Sequence, residues 1–189
     1  MADNEFERFL KNEFIKCLKQ SMNESVADAN WDYRENRELK HESYPKIILL
    51  TVSSHLFRIV LILHFSYNET CHKFVAAGLK SGGEKLGKDK IHDYLKEVGN
   101  SLCGGFKRNL GNVVPSLGMS TPNILDDYCL SYIEELDVID KHTATVSFNG
   151  QELFGASYYL CAAEKIQVDM SNARLSEETQ SEAGELEFF

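Results

Sequence analysis

The sequence lacks any apolar stretch long enough to cross a bilayer. Its longest aliphatic run, Ile59 to Leu63, falls far short of the ~20 residues that a spanning helix needs. The first residues, MADNEFERFLKNEF, are charged from the start and hold no apolar core of signal-peptide type. These absences read as a cytoplasmic protein with no membrane insertion. Positive charge is also scarce: 20 Lys and Arg stand against 29 Asp and Glu, for a net charge of −9. Phosphate backbones repel such a chain, so nucleic acid is excluded as a general partner. No CxxC and no His/Cys ligand spacing occurs, and the six histidines form no HExxH pair. The expectation is a chain that binds no metal or other cofactor itself. The five cysteines, Cys17, Cys71, Cys103, Cys129 and Cys161, are an odd number. They read as buried free thiols in a reducing compartment.

What is present is the composition of a folded domain, with 43% hydrophobic and 26% charged residues, a balance that disordered chains do not have. Residues 1–170 read as one domain. Residues 171–189 carry five Glu against Arg174, a net −4, and read as a mobile acidic tail ending in Phe188-Phe189. Apolar residues recur at three- and four-residue steps over 5–22, which predicts a helix. The stretch 30–45, NWDYRENRELKHESYP, is polar and reads as a connecting loop closed by Pro45. KIILLTV and LFRIVLILHF read as a buried hairpin. A second helix follows, with Ser66 or Asn68 as N-cap and Gly78 near its end. The longest helical pattern covers 89–110, and Pro115 and Pro122 mark an extended connection after it. DDYCLSYIEELDVI, HTATVSF and ELFGASYYLCAA read as strands. Asn149-Gly150 between the last two is a hairpin-turn signal, because a type I′ turn needs positive φ at both centres. The fold class is α+β, with long helices packed on a mostly antiparallel sheet. Each half opens with a long helix and follows with strands, a two-fold echo of pseudo-symmetric halves.

One motif is a decoy. From Gly82 the chain reads G-x-x-x-x-G-K and then places Asp89 where a phosphate-binding loop needs Ser or Thr for magnesium. The run also follows a helix rather than a strand. It reads as a loop, with Asp89 as a cap for the next helix.

On a wheel at about 100° per residue, Ile91, Leu95, Val98, Leu102, Phe106 and Leu110 fall within roughly a 120° arc, the buried stripe. Asp93, Glu97 and Asn100 fall on the opposite face, at about 200°, 240° and 180° from Ile91, with Gly104 beside them at about 220°. Cys103, at about 120°, sits at the edge of the stripe and reads as packing. Geometry alone says that a partner docking on this face would meet a carboxylate and an amide. It is also the geometry of an ordinary solvated helix face.

The run Asp93-x-x-x-Glu97-x-x-Asn100, with Pro122 twenty-two positions later, resembles the D/S-x-x-x-E-x-x-N…P signature of the CheC/CheX/FliY phosphatases of bacterial chemotaxis. FRIVLILHFSYNETCHKFVAAGL is similar to that family's strand followed by helix, and EVGNSLCGGFKRNLG to its motif segment. The likeness covers roughly residues 47–163, plus the helix at 5–22. The first helix offers no E-x-x-N at the equivalent place, which resembles the single-site CheX branch. The polar insert 30–45 and the acidic tail depart from a minimal domain of this kind.

The resemblance implies a CheX-like fold and a response-regulator aspartyl-phosphate phosphatase. Its substrate would be a phosphorylated CheY-like regulator, in chemotaxis or another two-component pathway. The regulator would bring its own Mg²⁺ and lysine. Asn100 would orient the attacking water and Glu97 would pair with that lysine, while Asp93 and Gly104 would help hold the substrate. A homodimer formed through the sheets is also implied. The alternative is a non-catalytic module of the same fold, binding a phosphorylated receiver or serving as a flagellar-switch adaptor. Residues 80–108 hold seven Lys/Arg against four Asp/Glu, a local positive excess able to steer an acidic partner.

Overall fold

The structure, a computed structural model, describes residues 5–36, 39, 43–82, 86–164 and 166–171. The expected mobile tail therefore lies outside the described residues, except for Ser171. Helix α1 spans Glu5–Ser25, strand β1 Trp31–Asn36, β2 Lys46–Ser53 and β3 Arg58–Phe65. Helices α2 (Glu69–Leu79) and α3 (Lys88–Leu110) follow, then the short strands β4 (Gly118–Met119) and β5 (Asn123–Asp126). A 3-10 helix, Asp127–Glu135, leads into the long hairpin β6 (Val138–Phe148) and β7 (Gln151–Cys161).

The sheet runs β1-β6-β7-β3-β2-β4, with β5 also paired to β2, and every pairing is antiparallel. Strand residues alternate between its faces. Ile48, Leu50 and Val52 of β2 and Ile59, Leu61, Leu63 and Phe65 of β3 join the core beneath the three α-helices. Ile47, Val60 and Ile62 point to the other face, where Leu130 and Ile133 of the 3-10 helix cover them. Both faces of β2 and β3 are thus buried, which is why these two strands read as continuous apolar runs. Burying each such side chain contributes about 1.5–3 kcal/mol.

The α+β class, the hairpin, the three helices and the β6–β7 turn agree with the sequence. Asn149 and Gly150 have φ of 51° and 79°, the positive pair that a type I′ turn requires. Asn68 caps α2, its Oδ1 accepting from the Cys71 amide at 2.9 Å. Among the described residues no helix is long and apolar enough to cross a membrane.

Three expectations are corrected. Residues 31–36 are not loop but an edge strand, paired with β6 from Trp31↔Phe148 to Asn36↔Thr143. An edge strand needs few apolar residues, and here Trp31 and Tyr33 alone pack on the core. The stretch 127–135 is 3-10 helix rather than strand. Its apolar residues cover the second sheet face instead of extending the sheet. Finally, Gly87 and not Asp89 is the N-cap of α3, and Asp89 lies in its first turn, where a carboxylate favours the helix dipole.

The two-fold echo is visible in the topology. Exchanging β1 with β5, β2 with β6 and β3 with β7 returns the strand order read from the opposite edge. The same exchange pairs α1 with α3, which pack against each other; the buried Ser21 hydroxyl donates to the Val98 carbonyl at 3.1 Å. Their buried positions share one register. A shift of 81 carries Leu10, Phe14, Cys17, Leu18, Ser21 and Met22 onto Ile91, Leu95, Val98, Gly99, Leu102 and Cys103, all buried.

Candidate functional site

Helix α3 owes its position to one residue in the middle of the motif. Gly99 is buried against β2, and a Cβ added there would stand 3.1 Å from Leu50 Cδ1 and 3.4 Å from Ile48 Cγ2. Its missing side chain lets the helix settle onto the sheet. It does not soften the helix from the exposed side, as the flanking polar residues alone would suggest. With Gly99, Leu95 and Leu102 facing inward, Glu97 and Asn100 must face outward.

Glu97 and Asp93 are exposed and Asn100 is half-buried. They line one side of an open groove of about 720 Å³, and Pro122 lies across from them. All four signature positions therefore meet in one place, although Pro122 comes from the connection between β4 and β5. Among the described residues, neither the Glu97 nor the Asn100 side chain makes a hydrogen bond or ion pair within the chain. Asp93 stands 3.9 Å from Lys96. Gly104 is half-buried with open space where its Cβ would stand, but it is not among the residues lining the groove.

Sequence reasoning missed the rest of the groove. Leu79 of α2, 44% exposed, with Leu86 and Tyr94 supplies apolar wall, and Lys90 and Lys96 add positive charge. Lys90 and Lys96 were legible on the same helix; Leu79 and Leu86 come from other segments and needed the fold. Tyr94 is held from three sides. Its hydroxyl donates to the Ser25 carbonyl at 3.0 Å, its ring meets Phe74 edge-on at 5.4 Å, and its hydroxyl occupies the space beside Gly78, where a Cβ would come within 1.8 Å. Gly78 thus makes room for a groove wall, while Lys80, at φ 52°, terminates α2.

No cysteine is among the residues lining the groove. Cys103 is fully buried, and burial pushes its thiol up to about 12. Cys17 and Cys71 are buried too, pushed up to about 11 and about 12 for the same reason. A thiol so placed stays protonated and inert. Among the described residues no group of three or more His, Cys, Asp or Glu could hold a metal ion. What the face offers is a carboxylate, an amide and lysines beside an apolar wall. These groups are suited to docking and orienting a partner.

No family model matches the chain, and no curated protein matches it by sequence. Solved structures do match it in shape. A chain of the CheX–CheY–BeF₃–Mg²⁺ complex from Borrelia burgdorferi aligns with a TM-score of 0.65 at 11% identity, over 79% of this chain and 96% of that one. The fold is that of CheX. The chemotaxis protein CheX from Vibrio vulnificus aligns with a TM-score of 0.59 at 14% identity, over 85% of this chain and 98% of that one. The FliM middle domain from Vibrio alginolyticus aligns with a TM-score of 0.52 at 10% identity, over 89% and 96%. Identities this low establish the CheX-like architecture and leave activity to the site.

Proposed function

We propose that this chain hydrolyses the aspartyl phosphate of a CheY-like response regulator. The observation that carries the reading is the convergence of Asp93, Glu97, Asn100 and Pro122 on one open groove. Support also comes from the shared fold, since the Borrelia CheX structure is a complex with CheY, BeF₃ and Mg²⁺.

An aspartyl phosphate is a mixed anhydride and already reactive, so catalysis requires chiefly positioning. The Asn100 amide suits a water-orienting role: its carbonyl accepts from the water, its NH₂ donates elsewhere, and it does not titrate. Glu97, exposed and without a side-chain partner among the described residues, is free to pair with the regulator's lysine and set the docking register. Asp93 flanks the same surface one turn earlier. Mg²⁺ would arrive with the regulator, as the local donor set is two carboxylates interleaved with lysines. Lys90 and Lys96 on the groove would favour encounter with an acidic receiver.

The chain would work as a homodimer paired along a sheet edge. Among the described residues β1 pairs only with β6, so its outer edge can accept a strand. Sedimentation at micromolar concentration that shows only a 21.5 kDa species would contradict this.

A second reading rests on the likeness to the FliM middle domain. In that reading the same groove holds a phosphorylated receiver without hydrolysing it. Phosphate release from a phosphorylated receiver mixed with the wild type and with Asn100→Ala separates the two. Accelerated release by the wild type alone supports the phosphatase; binding without acceleration supports the module.

A further inference from the structure

The register shared by α1 and α3 identifies a second face. Carried back by 81 positions, Asp93, Glu97 and Asn100 become Asn12, Lys16 and Lys19, all exposed on α1. The equivalent outward positions thus carry two carboxylates on α3 and two ammonium groups on α1, with the charge reversed outright at Glu97 and Lys16. The α1 face also has a groove, of about 350 Å³, lined by these three residues with Lys11, Ile15 and Glu35.

The charges in that groove are only partly answered. Lys11 pairs with Glu35 at 2.7 Å, and that bond holds the Glu35 carboxyl below its usual range. Lys16 stands 3.7 Å from Glu13 and is still 54% exposed. Lys19 lies over the Tyr33 ring at 5.6 Å and, among the described residues, has no ion pair. Ile15 supplies an apolar floor.

We propose that this cationic groove is the docking site of the chain's own acidic tail, residues 172–189. Three observations favour that occupant. The tail carries five glutamates against one arginine and adds Leu186, Phe188 and Phe189, matching lysines around an apolar floor. The α3 groove sets Lys90 and Lys96 beside Asp93 and Glu97, so its lysines are offset by carboxylates, whereas the α1 groove sets three lysines against Glu35 alone. The chain also leaves the sheet near the start of α1: Cys161 ends β7 opposite Arg58, and the neighbouring Phe57 packs on Phe6 at 5.4 Å. The 18 residues beyond Ser171 span up to roughly 60 Å when extended, while a domain of this size has a radius of gyration of about 16 Å. A tether of this length gives an effective concentration on the order of millimolar. Exposed charge pairs are individually weak, so docking needs several at once and weakens with salt. The inference stands independently of what the α3 groove does.

The test uses the full chain labelled for NMR. In the wild type, cross-peaks are expected between the Phe188 or Phe189 ring and the Ile15 methyls. Lys16→Glu with Lys19→Glu should abolish them and shift the amide resonances of residues 185–189. Adding Glu185→Lys and Glu187→Lys to that variant should restore them, which also shows that the charge-reversed helix is folded. Tail resonances that stay unchanged by the lysine substitutions would overturn the proposal. So would cross-peaks from the tail to the α3 groove, or a cationic groove that takes an added acidic peptide while the tail stays unengaged.

Discussion

Gly99 and Leu50 lie so close that a Cβ on the glycine would stand 3.1 Å from the leucine Cδ1. Helix α3 rests on strand β2 through this contact, and the outward aim of Glu97 and Asn100 depends on it. Gly99→Val is expected to lose about 1–3 kcal/mol through overpacking, despite leaving behind the poor helix propensity of glycine. Denaturant titration measures the loss. Gly99→Val combined with Leu50→Ala should cost less than the sum of the two single substitutions, a coupling that a double-mutant cycle reads. A valine tolerated without cost would show that the helix does not need this approach.

Asn100 and Glu97 should separate in kinetics. Asn100→Ala is expected to slow phosphate release from a phosphorylated receiver by ~100-fold or more, the usual cost of removing one positioning group, with receiver binding retained. Glu97→Gln should weaken binding by about tenfold, or ~1.4 kcal/mol, and affect turnover at saturation less. Glu97 is exposed, Asn100 is half-buried, and neither side chain bonds to a described residue, so thermal stability should stay near wild-type level in each variant. Equal loss of binding in both would remove the division of roles.

Gly78→Ala tests the groove wall from behind. The new methyl would meet the Tyr94 ring, which its bond to Ser25 and its contact with Phe74 hold in place. The expected cost is about 1–3 kcal/mol, and the fluorescence of Trp31, whose ring packs on Phe74 at 5.7 Å, should report the shift. Tyr94→Phe in the same background should relieve part of the clash, because the hydroxyl makes the closest approach.

Stability should fall on acidification through the histidine range. His142 packs edge-on to Phe14, and burial first, then the nearby Lys11, lowers its pKa below the usual 6.5. Glu35 and Asp140 act in the opposite direction without reversing this. The folded state therefore resists a proton that the unfolded chain accepts near pH 6.5. The stabilisation is present above that pH and is lost as pH falls toward the lowered value. The slope for one such group cannot exceed about 1.4 kcal/mol per pH unit. His142→Gln should flatten the decline in Tm between pH 7 and pH 5; an unchanged slope would assign it to other groups.

The parts of the fold legible in the sequence were those with a strong local period. Helix α3 could be placed from Ile91, Leu95, Val98 and Leu102, and its opposite face followed at once. The β2–β3 hairpin was legible because both of its faces are covered. Strand β1 was not, since an edge strand shows only Trp31 and Tyr33 to the core; that two-residue alternation was the one available signal. Leu130 and Ile133 looked like strand residues because short apolar runs carry no period, and only the uncovered face of β2 and β3 explains their 3-10 path. At the site, the motif located Asp93, Glu97, Asn100 and Pro122. Leu79 and Leu86 join them through tertiary contact, and nothing local announces that. Gly99 was conspicuous, but its role could not be read without knowing which strand lay beneath it.

The common register of α1 and α3 makes each molecule its own blank. The two faces share an inward stripe and a place on the sheet, and differ outward at Asn12, Lys16 and Lys19 against Asp93, Glu97 and Asn100. Asn12→Asp, Lys16→Glu and Lys19→Asn would write the same three letters on both helices. Any activity such a protein gained over its parent would measure what those side chains accomplish without the groove around them, and any shortfall would weigh Pro122 and the apolar wall.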